Sequence, residues 1–67
     1  MRTYTGKELI RLLEAHGWQV ARIEGSHHML TKTGCEAVLS VPVHGNNDLK
    51  IGITRHILKV AGIYTSR

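Results

Sequence analysis

The sequence predicts an α+β domain in the order α-β-β-β-α, with two helices on one face of a three-stranded antiparallel sheet. Three observations lead to it. Apolar residues recur at helical spacing near both ends of the chain, they alternate with period two through the middle, and short glycine-bearing turns divide the alternating runs. Connections this short pair neighbouring strands antiparallel, because a parallel pairing needs a crossover of a dozen or more residues.

The first helix is bounded on both sides. Thr5 and Glu8 form a capping box, in which the hydroxyl satisfies the Glu8 amide and the carboxylate returns to the Thr5 amide. Leu9, Leu12, Leu13 and His16 follow on one stripe, widened by Ile10, with Lys7, Arg11 and Glu14 turned to water. Gly17 suits the left-handed residue that closes such a helix, which places it over residues 5–16. The period then changes to two. Trp18, Val20 and Arg22 are expected on one face of a strand, and Gln19, Ala21 and Ile23 on the other.

Glu24, Gly25 and Ser26 make a turn into a second strand over 27–31. In it His28 and Leu30 share one face, and His27, Met29 and Thr31 the other. Lys32, Thr33 and Gly34 turn into a third strand over 36–41, where Ala37, Leu39 and Val41 alternate with Val38 and Ser40. Pro42 ends it, and residues 43–48 read as a polar loop. From about residue 53 a helix carries Ile53, Ile57, Val60 and Ala61 as its apolar stripe, flanked by Arg55, His56 and Lys59. Gly62 stops it. With no linker, repeat or low-complexity stretch, residues 1–67 read as a single domain with its core at about 5–63.

A chain of 67 residues buries only about 60% of the surface its unfolded form exposes. A large enclosed active site is therefore excluded. Nine Lys and Arg against five Asp and Glu leave a net charge of +4, which points to phosphate-bearing partners, an acidic protein or solubility alone. The lone cysteine, Cys35, rules out an intramolecular disulfide and fits a reducing, cytoplasmic setting. The first residues have no apolar signal-peptide core, and no apolar run nears the ~18 residues of a membrane span, so no membrane association is expected.

Five histidines are the compositional excess. His16 reads as a helix cap and His56 as a surface residue, whereas His44 follows the third strand in a polar loop. His27 and His28 leave the Gly25–Ser26 turn on opposite faces of the sheet. An imidazole, with a reference pKa of about 6.5, can accept and return a proton at neutral pH. Transesterification of RNA requires that, since the 2′-hydroxyl must lose a proton to attack its own phosphate. Arg22, Lys32, Lys50, Arg55 and Lys59 are the cations available to bind that substrate and stabilise its charge, with Gly25, Ser26 and His44 as further contacts. No histidine pair has the spacing of a helical metal site, and no carboxylate or thiol is clustered with them in sequence. No metal or cofactor is expected.

The α-β-β-β-α plan is that of the double-stranded RNA-binding domain. The ordered set Leu9-Ile10-x-x-Leu13-Glu14-x-x-Gly17-Trp18, Gly25-Ser26-His27-His28, Val41-Pro42-Val43-His44, then Gly52 and Ile57-Leu58-Lys59-x-Ala61-Gly62-Ile63 resembles the HicA (YcfA-like) toxin family over about residues 5–63. That resemblance implies an mRNA-cleaving toxin of a type II toxin–antitoxin pair, held inactive by a HicB-type antitoxin. It also implies that the functional histidine belongs to the Gly-Ser-His segment, at His27 or at His28, with more weight on His28. Two departures stand out. Gly52-Ile53-Thr54-Arg55 replaces the usual Gly-Thr-Leu-Arg at the start of the second helix, leaving Gly52 or Thr54 as its cap, and Gly45-Asn46-Asn47 replaces a Lys-rich loop. A non-catalytic RNA-binding module, or a degenerate toxin that only binds the antitoxin, are the competing readings.

Overall fold

In the computed structural model, which describes residues 3–63, a helix α1 (Gly6–Ala15) leads into strands β1 (Trp18–Glu24), β2 (His27–Lys32) and β3 (Cys35–Pro42), and a second helix α2 (Ile51–Ala61) follows. The sheet order is β1-β2-β3, antiparallel throughout. This is the expected α-β-β-β-α arrangement. The capping box forms as read: the Glu8 amide donates to Thr5 Oγ1 at 3.2 Å and the Thr5 amide to Glu8 Oε1 at 3.0 Å. His16 caps the other end of α1, its ring Nδ1–H donating to the Leu12 carbonyl at 3.0 Å. At the end of α2, Gly62 takes the left-handed conformation.

One face of the sheet receives both helices. Leu9, Ile10 and Leu13 of α1 and Ile57 and Leu58 of α2 join Trp18, Leu30, Leu39 and Val41 in a single core, completed by Tyr4, Leu49 and Ile63. Helix α1 packs on β1 and β3, and α2 on β3. Its start lies at the end of β3, because a Cβ on Gly6 would collide with the Pro42 carbonyl and come within 3.0 Å of Val43 Cα and Cγ2. Its end leads through Gly17 into the start of β1. The helix therefore crosses the sheet diagonally and leaves the far end of β1 uncovered, where Ile23 is exposed.

Two expectations are corrected. The first concerns β1. Val20 pairs with Leu30, but Arg22 pairs with Met29 and Ile23 with His28, so Ala21 is an unpaired bulge residue. Arg22, expected beside Trp18 and Val20, thus lies on the outer face, where its Nε meets Glu24 Oε2 at 2.7 Å. Ile23 takes the helix side instead. A guanidinium keeps its water on the outer face, so the bulge spares Arg22 the partly apolar helix side.

The second correction concerns α2. It begins at Ile51 with Lys50 as its N-cap, and no side chain caps its amides. Its buried stripe is Thr54, Ile57 and Leu58 with partly buried Ala61, while Ile53 and Val60 are each 39% exposed. Starting two residues early rotates no residue. Thr54 heads the buried stripe in place of the expected Ile53.

Two stability predictions follow from these contacts. In an exposed helix, Gly→Ala would gain about 1 kcal/mol. Gly6→Ala is instead expected to lose about 1–3 kcal/mol from the collision with the Pro42 carbonyl, read as a lowered midpoint in thermal or urea unfolding. Thr54 is 1% exposed and its Oγ1 has no hydrogen-bond partner. Thr54→Val removes that stranded hydroxyl at nearly constant shape, and should raise the unfolding midpoint by the equivalent of about 1 kcal/mol.

Candidate functional site

His27 and His28 stand at the start of β2, directly after a two-residue turn in which Gly25 has φ +61°. That positive φ is open to glycine at no steric cost. The turn is tied to the end of β3, where the Val43 amide donates to the Ser26 carbonyl at 2.7 Å. The chain then continues into His44, so the structure brings His44 to the turn that presents the histidine pair. His44 is exposed, and its carbonyl accepts from the Asn47 amide at 3.2 Å.

The two adjacent histidines have different surroundings. His27 is exposed on the outer face, where its Nδ1 and Ser40 Oγ are hydrogen-bonded at 3.2 Å. His28 faces the helix side, paired with Ile23 on β1 and with Val41 on β3, whose side chain is fully buried. The imidazole is half-buried, and its Nδ1 is enclosed with no hydrogen-bond partner. A buried ring nitrogen without a partner costs about 1–3 kcal/mol, as do the enclosed Trp18 Nε1 and Thr54 Oγ1, but of the three only the histidine can exchange a proton at neutral pH. His16, His27, His44 and His56 are all exposed. Burial alone singles out His28.

The same end of the molecule gathers both helix starts. α1 begins against Pro42 and Val43, and the loop after β3 is bound back to the N-terminal segment: the Leu49 amide donates to the Tyr4 carbonyl at 2.7 Å, Thr5 and Asp48 form a bridge, and Thr3 Oγ1 donates to Asp48 Oδ2 at 2.9 Å. Lys50 follows directly as the N-cap of α2. Helix N-termini carry partial positive charge; at α1 the Glu8 carboxylate meets it, whereas no side chain caps α2.

The remaining cations are dispersed. Arg55 and Lys59 are exposed on α2, about 7.5 and 13.5 Å along the axis from Lys50. Lys32 is at the opposite end of β2, about 13 Å from His28. Its stem lies against Gly17, where an added Cβ would meet Lys32 Cε at 3.3 Å, so its charge serves the C-terminal end of α1. Arg22 is on the other face of the sheet. Of the residues expected to contact substrate, Gly25, Ser26 and His44 therefore accompany the histidines, Lys50 lies at the same end, and Arg22 and Lys32 do not join them. Among the described residues no group of three or more His, Cys, Asp or Glu side chains is placed to hold a metal ion. No helix is long and apolar enough to cross a membrane.

Sequence reading missed one neighbour of His28. Ile23 is 59% exposed directly across the ladder from it. Nothing in the local pattern signals this, because strict alternation puts Ile23 on the other face and a bulge shifts it.

No curated protein matches the chain. A family model, described as the HicA toxin of bacterial toxin–antitoxin systems, matches residues 6–63, from the first residue of α1 to the buried Ile63 after α2. Since that span includes both helices, the whole sheet and the histidine turn, the chain belongs to the HicA toxin family.

Proposed function

We propose that this toxin is an endoribonuclease that cleaves mRNA by transesterification, with His28 moving the proton, and that a HicB-type antitoxin neutralises it in the cytoplasm. The observation that carries the reading is the half-buried His28 imidazole with its enclosed, unpartnered Nδ1. An imidazole fixed in this way offers Nε2 to a substrate on the open side. Nε2 takes the proton of a 2′-hydroxyl, O2′ bonds to phosphorus, and the P–O5′ bond breaks with its electron pair staying on O5′. A proton from solvent then neutralises O5′. The products are a 2′,3′-cyclic phosphate and a 5′-hydroxyl. Charge on the phosphate is met by the N-terminus of α2, which no side chain caps, by Lys50 and by the open backbone of the Gly25–Ser26 turn. His44 follows Val43, whose amide is bonded to the turn at Ser26, and so can contact the same RNA.

The route needs no metal hydroxide, because the imidazole supplies the base. It needs no enclosed pocket either, since RNA reaches an open face. The antitoxin is expected to bind over the same surface, where the +4 chain favours an acidic partner.

His28→Ala is expected to abolish growth arrest and to slow cleavage of a single-stranded RNA by about 10²–10⁴-fold. His27→Ala, which removes an exposed ring on the outer face, should retain most activity. Cleavage should persist in EDTA, and end-group analysis should find the 2′,3′-cyclic phosphate. Full toxicity of both single variants and of the double variant would exclude histidine catalysis. RNA retention with no products on long incubation would assign a binding module instead, and a 5′-phosphate product would exclude transesterification.

A further inference from the structure

We infer that Ile23 is a substrate-positioning residue: it forms an apolar platform for the nucleobase next to the phosphate held at His28. The inference rests on the RNA-cleavage reading of His28 and deepens it. Ile23 is 59% exposed, more than Val38, Ile51, Ile53 or Val60, and it stands directly opposite His28 in the β1–β2 ladder. Side chains opposed in this way have Cβ atoms about 4.5–5.5 Å apart. A ribose phosphate at the imidazole therefore carries its own or the adjoining base over the isoleucine.

The exposure is produced by two independent features of the fold. The Ala21 bulge sets Ile23, rather than Arg22, across from His28. The diagonal course of α1, with its start at Pro42 and its end at β1, then leaves this corner of the helix-side face uncovered. Bulges are over-represented beside active sites, where they re-aim a side chain. A regular strand would have buried Ala21's neighbours in the usual alternation and put a guanidinium opposite the imidazole. The bulge exchanges a charge for an apolar surface at the one place where substrate must lie.

RNA-binding proteins usually hold unstacked bases on aromatic rings or on arginine planes. Across the ladder from His28 the residue is instead aliphatic: Tyr4 and Trp18 are core residues, Tyr64 lies outside the described residues, Arg22 is held with Glu24 on the far face, and Arg11 and Arg55 lie on the helices. Gly25, beside the corner, has open space around it, so nothing obstructs a base that approaches Ile23 from the turn. An aliphatic platform accepts any base by its face. Ile23 thus fixes where the nucleotide sits without selecting strongly among sequences.

The test uses the full chain and a fluorescent single-stranded oligonucleotide with 2′-O-methyl riboses, which binds without being cut. Ile23→Ala is expected to weaken binding by roughly 5- to 20-fold, from the methylenes lost at the contact. Ile23→Trp should tighten it several-fold through stacking. Val38→Ala, a similar loss at a 55% exposed position on the outer face, should change nothing. A single abasic nucleotide, moved along the oligonucleotide, should at one position remove the difference between wild type and Ile23→Ala. Circular dichroism checks that each variant is folded.

Equal affinities for wild type, Ile23→Ala and Ile23→Trp would overturn the inference, as would an Ile23→Ala deficit that survives an abasic nucleotide at every position. If Ile23→Ala binds RNA normally and loses affinity only for the antitoxin, the platform belongs to the protein partner and the inference falls. Cleavage of unmodified RNA by wild type is scored separately. Its absence would reject the endoribonuclease reading and leave the binding comparison to stand or fall by itself.

Discussion

Leu30 is fully buried between Val20 and Leu39, and because strand side chains repeat every second residue, its burial commits His28 to the same side of the sheet. A slip of one residue in β2 would turn Leu30 to water, at a cost of about 1.5–3 kcal/mol for that side chain alone. It would also exchange His28 for His27. The register that makes the core is thus the register that decides which histidine is enclosed. Val41, fully buried opposite His28, repeats the constraint from β3. The His28 side chain needs no separate device to aim it; it sits two residues from a core leucine.

The second dependence is geometric. β2 begins, β3 ends and both helices start at one end of the molecule, so the Gly25–Ser26 turn, the loop after β3 and two helix N-termini converge there. Backbone bonds close that end: Val43 to Ser26, Leu49 to Tyr4, and the bridge of Thr5 with Asp48. The tight approach of Gly6 to Pro42 sets how α1 enters, and hence its slope across the sheet. That slope covers Trp18 and leaves Ile23 bare. A small domain cannot enclose a pocket, but it can leave one corner of its packed face open. The same corner is where the imidazole is half-buried rather than lost in the core.

Much of this was legible in the amino-acid order because the determinants are local. The capping box of Thr5 and Glu8, the glycine stops at Gly17 and Gly62, the turns at Gly25 and Gly34, and the period change after Gly17 each involve residues a few positions apart. The facing of His28 with Leu30 follows from period two inside a single strand. The clustering of His44 with the turn did not follow from spacing. It depends on the Val43–Ser26 hydrogen bond across 17 positions. The cations were the poorest guide, since a count of Lys and Arg does not say that Lys32 lies at one end of β2 and Arg22 on the far face.

By itself the sequence determined the element order, the capping box of α1, the glycine stop of α2, the turns, and a motif set specific enough to name a family, since hydrogen bonding and periodicity along a chain are short-range. Only the tertiary structure decided what depends on partners distant in sequence. Ladder pairing with β2 decided that Ala21 bulges and that Ile23, not Arg22, faces His28. Contact with β3 decided that Gly6 admits no side chain. Helix-on-sheet packing decided that Thr54 heads the buried stripe of α2 while Ile53 is exposed, because a face is buried by what lies against it and not by its own composition.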